Sequence, residues 1–242
     1  MSADETVVKP PRQGLVLIPG LLCDRLLWES QVAALGDVAE CWVADHTRSE
    51  TMAGVAADIL RDAPFENFAL AGLSMGGYVA LEITRQAESR VSKLALLDTG
   101  ARPDTPEQSR RRGELIALAR RGRFIGVTQA LLPMLVHPAN LANRDLVATI
   151  KAMAKNTGKE AFIREERAIM SRTDGFPVLR NLNCPALVLC GREDALTPLD
   201  RHEEMAQAIA GSRLEVIADC GHLSTLERPA EVSAAMKRWL QS

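Results

Sequence analysis

Several things are scarce in this chain, and each scarcity removes a class of protein. Aromatic residues fill only 4% of the 242 positions, with five Phe, three Trp and one Tyr. Leu, Ala, Val, Ile and Met must therefore build most of the core. Cysteine occurs five times, an odd number, at Cys23, Cys41, Cys184, Cys190 and Cys220, and no CxxC pair is present. That pattern argues against a disulfide framework and points to a reducing cytoplasm. The charges nearly cancel, at a formal -2, so neither nucleic acid nor an anionic membrane is an expected partner. No apolar run approaches the roughly 20 residues that span a bilayer. The opening MSADETVVKPPRQG is polar, so no secretory signal is expected. Internal repeats and low-complexity linkers are missing too.

What is present is ordinary for a globular chain: 47% hydrophobic and 25% charged residues, in a length that suits one domain or a core with an insertion. Short apolar runs recur and predict strands at 14–18, 39–44, 67–71, 93–98, 186–190 and 213–218. Their near-continuous hydrophobicity indicates burial on both faces. Helical patterns fall between them at 49–63, where Ser49 is a plausible cap, at 76–89, and at 229–241, where proline opens the first turn. The alternation predicts an α/β fold: an open, mostly parallel sheet with helices on both faces. Between 101 and 180 no strand is legible, only amphipathic helical patterns. This divides the chain into a core, 1–100 and 181–242, and a helical insertion expected to act as a cap.

One short stretch carries the chemistry. Gly72-Leu73-Ser74-Met75-Gly76 is a G-x-S-x-G sequence between a predicted strand and a predicted helix, the context of a nucleophile elbow. Such a turn strains the serine backbone and lifts its hydroxyl above the sheet. Glycines suit the flanking positions because side chains there would collide with neighbouring elements. The plain alternative is a glycine-rich strand–helix turn with an inert serine.

A serine hydroxyl needs a base. Of His46, His137, His202 and His222, the last follows the final strand in a loop with Gly221 and Ser224, and is the favoured base. Its alternative role is to cap the last helix. His46 follows an earlier strand, His137 lies in the insertion, and His202 sits in a charged helix where it is expected to be solvated. An imidazole base needs an acid to fix its tautomer. Asp194, just after a buried strand, is that acid, with Glu193 a weaker competitor. Asp98, ending the strand beside the elbow, is the serious alternative and is otherwise a loop cap. Oxyanion donors are expected from the backbone amides of Met75 and Leu21, with Leu22 second, because Gly20 lets that loop turn inward.

With these pieces the chain resembles the α/β-hydrolase superfamily, particularly small bacterial esterases and lactonases with a helical cap. The resemblance runs from about Gly14 to Leu240 through IPGLLCDRLLW, AGLSMGGYVAL, CPALVLCGREDALTP and CGHLSTLERP. It implies Ser74 as nucleophile, His222 as base, Asp194 as acid, and Leu21 and Met75 as oxyanion amides. It also implies hydrolysis of an acyl bond through an acyl-enzyme, without metal or organic cofactor. Related members cleave thioesters or carbon–carbon bonds, resemble cofactor-free haloperoxidases, lyse hydroxynitriles, or act as ligand receptors with intact triads. The chain departs from the family at Pro19-Gly20, where many members have His-Gly and the histidine supports the loop. That puts the oxyanion hole's details in question.

The expected partner is a small-molecule acyl substrate; the sequence is silent on oligomeric state. Residues 101–180 hold 15 Lys+Arg against 8 Asp+Glu. A basic cap could draw in an anionic substrate, unless Arg110, Arg111, Arg112, Arg120, Arg121 and Arg123 simply form solvated faces. Leu131, Leu132, Met134 and Leu135 are expected to line the pocket or pack the cap onto the core.

Overall fold

A computed structural model describes residues 12–242; most of the polar opening read for a signal sequence lies outside them. Six strands, β1 (Gln13–Ile18), β2 (Ala39–Val43), β3 (Phe68–Leu73), β4 (Val91–Leu97), β5 (Ala186–Gly191) and β6 (Arg213–Ile217), fall where the apolar runs lie. They form one sheet in the order β2-β1-β3-β4-β5-β6, with every pairing parallel.

The central strands β1, β3, β4 and β5 are mostly apolar because both faces are covered, whereas the edge strands β2 and β6 carry Glu40, Arg213 and Glu215 and are only partly buried. Alternate residues point to opposite sides. Leu15, Leu17, Ala69, Ala71, Ala95 and Leu97 pack on one face with α1 (Glu29–Leu35) and α10 (Pro229–Leu240). Val16, Ile18, Leu70, Leu94 and Leu96 pack on the other with α2 (Met52–Asp62), α3 (Met75–Ala87) and α8 (Leu199–Ala208). Burying each large aliphatic side chain contributes about 1.5–3 kcal/mol, which offsets the ordering cost of so regular a sheet. One boundary differs from expectation. The cap of α2 is Thr51, whose hydroxyl accepts the Gly54 N–H, while Ser49 donates to Asp58.

Between β4 and β5 the chain is helical: α4 (Pro106–Leu118), α5 (Leu132–Leu135), α6 (Arg144–Met170) and α7 (Phe176–Arg180). A capping box of Thr105 and Gln108, with Pro106 in the first turn, starts α4. Gly158 breaks α6 with φ 76° and ψ 177°, a conformation essentially reserved for glycine. Leu132 is fully buried and Leu131 and Leu135 pack against the core, whereas Met134 is partly exposed. Ile116, Leu132, Ile150, Met153 and Phe162 join the same apolar cluster as Leu22 and Leu223, residues of the loops after β1 and β6. The short α9 (Ser224–Glu227) follows that second loop.

Candidate active site

Ser74 lies between β3 and α3 with φ 56° and ψ -117°, a backbone region that L-residues avoid. The flanking glycines explain how the chain reaches it. A Cβ on Gly72 would sit 2.1 Å from the Gly76 carbonyl oxygen, and one on Gly76 would sit 2.1 Å from the Ile18 carbonyl oxygen. Backbone packs directly on backbone there, so no side chain is tolerated. The turn is further tied by Ser74 N–H to the Leu97 carbonyl at 3.0 Å and by Thr99 Oγ1 donating to the Ser74 carbonyl at 2.7 Å.

His222 and Asp194 come to Ser74 from the loops after β6 and β5. His222 Nε2 is 2.9 Å from Ser74 Oγ, and its Nδ1 is 2.8 Å from Asp194 Oδ2. Asp194 is fixed in turn: Oδ1 accepts the N–H groups of Leu196 (2.8 Å) and Thr197 (2.9 Å), and Oδ2 accepts from Thr197 Oγ1 at 2.6 Å. His222 and Asp194 are buried, whereas Ser74 is half-buried. Burial alone would lower the pKa of His222, but the adjoining Asp194 carboxylate outweighs it and raises the value. Burial likewise opposes the Asp194 charge, yet His222 and the hydrogen bonds hold that carboxyl below its usual range. The arrangement suits proton withdrawal from Ser74, with imidazolium stabilised by a carboxylate that stays ionised.

The two expected backbone donors are both available. Met75 opens α3, and neither its N–H nor that of Leu21 has an acceptor among the described residues. A Cβ on Gly20 would lie 3.3 Å from Ser74 Cβ, so the loop after β1 runs against the elbow. Leu22, the second choice from sequence, donates its N–H to Glu165 Oε2 at 3.2 Å and is thereby occupied.

Other candidates land elsewhere. Glu193 accepts the Cys220 N–H and does not touch His222. Asp98 is completely buried, and its carboxylate accepts the Gly191 N–H at 2.9 Å and the Ser224 hydroxyl. It thus ties the end of β5 to the start of α9, the elements next to the loops that carry Asp194 and His222, rather than capping the loop that enters the insertion. Burial, then the neighbouring Asp194 charge, push its pKa up to about 8. His202, expected in solvent, is also fully buried; its Nε2 accepts the Thr99 N–H at 2.9 Å, and burial drives its pKa down to about 4. It sits on an inward stripe with Met205 and Ile209, a helical spacing masked in the sequence by the charged residues around it. His137 reaches its own turn through Ala139 N–H. Thr197, three residues past Asp194, is the functional neighbour that sequence reasoning missed.

The insertion touches the loop that carries His222. The Leu223 N–H donates to the Leu135 carbonyl at 3.1 Å. Glu227 accepts the Gly221 N–H on one oxygen, and the His137 N–H and Asn140 Nδ2 on the other. Among the cations, Arg112 is engaged with Asp104 and Glu166 in an interior network, whereas Arg120, Arg121 and Arg123 are exposed. Among the described residues no group of three or more His, Cys, Asp or Glu is placed to hold a metal ion. None of their helices is long and apolar enough to cross a membrane.

Comparison with known proteins gives a consistent answer. The alpha/beta hydrolase fold family matches residues 14–229. A thermophilic esterase from Thermogutta terrifontis, solved with malate bound, superposes with a TM-score of 0.87 at 30% identity, over 96% of this chain and 91% of its own. The enol-lactonase from Burkholderia xenovorans LB400 gives a TM-score of 0.86 at 25% identity, over 96% and 93%. The 2-hydroxy-6-oxo-6-phenylhexa-2,4-dienoate hydrolase of Comamonas testosteroni is 26% identical over 194 residues, 78% of this chain and 68% of its own length. All three are hydrolases.

Proposed function

The chain belongs to the alpha/beta hydrolase fold family, and on that premise we propose that it is a serine hydrolase opening an ester, lactone or related acyl bond of a small molecule. The observation that carries this reading is the unbroken relay from Ser74 Oγ through His222 to Asp194, at 2.9 and 2.8 Å, on a strained elbow.

Ser74 Oγ attacks the substrate carbonyl carbon as His222 Nε2 takes its proton. The carbonyl oxygen gains negative charge, and the amides of Met75 and Leu21 receive it; such donors act in place, without reorganising. Collapse expels the alcohol or alkoxide, protonated by His222, and leaves an acyl group on Ser74. Water, deprotonated by His222, then attacks the acyl carbon; the bond to Ser74 Oγ breaks, His222 returns the proton to that oxygen, and the acid is released. Asp194 keeps its negative charge throughout and stabilises the imidazolium.

We read the helices of residues 101–180 as a cap over this centre, supported by the contacts of Leu135, Val136 and His137 with the Gly221–Leu223 loop. The net positive charge of residues 101–180 is what supports a carboxylate-bearing substrate; the exposure of Arg120, Arg121 and Arg123 fits the solvated-face alternative. Five unpaired cysteines support a cytoplasmic setting. The Comamonas relative supports a second reading, cleavage of a carbon–carbon bond next to a carbonyl by the same residues. A fluorophosphonate probe should label the wild type at Ser74 and spare Ser74→Ala. A screen of esters, lactones, thioesters and 2-hydroxy-6-oxodienoates then ranks the bond classes. Labelling at another serine refutes the assignment.

A further inference from the structure

The loop between β1 and α1 contains an unusual turn. The Cys23 N–H closes on the Gly20 carbonyl at 3.0 Å, and Leu22 occupies the third position with φ 59°. A turn of this kind normally places glycine or asparagine there. A branched residue stays in the left-handed region only where its surroundings over-determine the backbone.

Those surroundings are two buried side chains from distant parts of the sequence. Glu165, on α6 in the insertion, is fully buried and accepts the Leu22 N–H on Oε2 at 3.2 Å. Its other oxygen is 3.0 Å from Nε2 of His46, which follows β2 and is 2% exposed. The same Nε2 is 3.1 Å from the Gly20 carbonyl oxygen. Both neighbours are acceptors, so Nε2 carries a proton; its hydrogen bond goes to the Gly20 carbonyl, and the Glu165 oxygen beside it is an ion-pair contact that makes no hydrogen bond of its own. Burial disfavours the histidine cation, but the Glu165 carboxylate outweighs this and raises the His46 pKa. Each peptide flanking Leu21 is thereby held: the carbonyl of Gly20 by His46, the N–H of Leu22 by Glu165.

We propose that Glu165 and His46 are positioning residues of the oxyanion loop, a role that rests on the serine-hydrolase reading above. The pair clamps the peptides on either side of Leu21 and withdraws the Leu22 N–H, leaving the Leu21 N–H to meet the developing oxyanion. His46 brings to Gly20 the imidazole support that Pro19 lacks, and the insertion completes the device from the opposite side. Asn156 and Thr157 add contacts from α6 to Asp24 and to the Cys23 carbonyl.

The test uses the full chain and one p-nitrophenyl ester. Glu165→Met keeps the side-chain bulk without an acceptor; Glu165→Gln keeps an acceptor for Leu22. Because a small misplacement of a catalytic group costs on the order of 10²-fold, kcat should fall about that much in Glu165→Met. KM should stay within about threefold, since ground-state binding is untouched. Fluorophosphonate should still label Ser74 to completion, and Glu165→Gln should recover most of the loss. Where Glu165→Met does not fold, His46→Leu against His46→Gln gives the same contrast, because glutamine offers an N–H toward Gly20. An unchanged kcat, an equal loss in the conservative variant, or a loss matched by incomplete labelling overturns the positioning role while the wild type still labels at Ser74. A wild type that neither labels nor turns over any ester removes the serine-hydrolase reading, and this proposal with it.

Discussion

The elbow and the loop after β1 face each other across the site, and they are held by different means. Around Ser74 the chain is fixed by backbone on backbone: Gly72 lies against Gly76, Gly76 against the Ile18 carbonyl, and the Ser74 N–H bonds to Leu97. Around Leu21 the backbone is fixed by side chains that arrive from β2's end and from α6, namely His46 and Glu165. The first kind of support uses the three adjacent strands β1, β3 and β4 with α3, all of which precede the insertion. The second joins parts of the chain separated by 143 positions. A local lock tolerates changes elsewhere in the molecule, whereas a remote clamp makes the geometry depend on the insertion.

The largest effect should come from the locally locked side. Ser74→Ala should lower turnover on the order of 10⁴–10⁶-fold without changing the melting temperature, because the remaining donors and binding contacts retain only a fraction of the acceleration. Residual turnover near wild type would show that the elbow merely supports a site elsewhere.

Asp194→Asn comes next, with a loss of up to about 10⁴-fold if the acid fixes the His222 tautomer. It also tests the electrostatics. The base must be neutral, so wild-type kcat/KM should rise with pH through an ionisation lying above the ordinary histidine value, since Asp194 raises the His222 pKa. The Asn variant should move that midpoint downward. The sign for stability is the reverse. The charged pair stabilises fully below the unfolded histidine pKa, and that contribution is lost as pH rises through the higher folded value. A larger loss of turnover in Asp98→Asn than in Asp194→Asn would transfer the acid to the end of β4.

Two glycines separate crowding from backbone strain. Gly76→Ala must displace the Ile18 main chain, with a Cβ at 2.1 Å from its oxygen, and should cost about 1–3 kcal/mol or more together with most of the activity. Gly158→Ala has nothing within 4 Å of its Cβ, but its φ of 76° is unfavourable for alanine. A loss of about 1–3 kcal/mol is expected from that strain alone, with urea midpoints as the measurement. An undisturbed elbow in Gly76→Ala, judged by fluorophosphonate labelling rate, would contradict the backbone lock.

The smallest expected effect concerns the exposed charges of the insertion. An ω-carboxylate ester should gain a few-fold in kcat/KM over its neutral analogue at low salt and lose that margin near 1 M, where screening acts within about 3 Å. Equal salt dependence for both esters would remove Arg120, Arg121 and Arg123 from substrate guidance.

The same contrast explains what was legible beforehand. The central strands were visible because burial on both faces leaves mostly apolar residues, and the elbow because close backbone approach leaves only glycine. Asp194 stood out by following the buried strand β5, and His222 by lying in a loop with Gly221 and Ser224 after the final strand. His202 was misread because charged neighbours on α8 hide its inward stripe with Met205 and Ile209. Glu165 was illegible for a stronger reason. In the charged run Arg164–Arg167 nothing local distinguishes a buried carboxylate from a solvated one, and its partners Leu22 and His46 lie in other parts of the chain. Burial of a charge is decided by its partners, which a linear reading does not bring together.

The strand order has a consequence for how the molecule is made. Strands β1 to β4 are neighbours in the sheet and all precede the insertion, while β5 pairs with β4 only after the whole helical segment has emerged. Lengthening such a connection adds roughly 0.6 kcal/mol of closure entropy per doubling, so the insertion costs little at equilibrium but postpones a non-local pairing. Ser74 and its elbow can thus form within a four-stranded half-sheet before Asp194 and His222 are present. Pulse-labelled hydrogen exchange should find the β1, β3 and β4 amides protected ahead of those in β5 and β6; simultaneous protection would mean that the sheet closes in one step. On this order of events the nucleophile is assembled first and remains unarmed until the C-terminal strands dock.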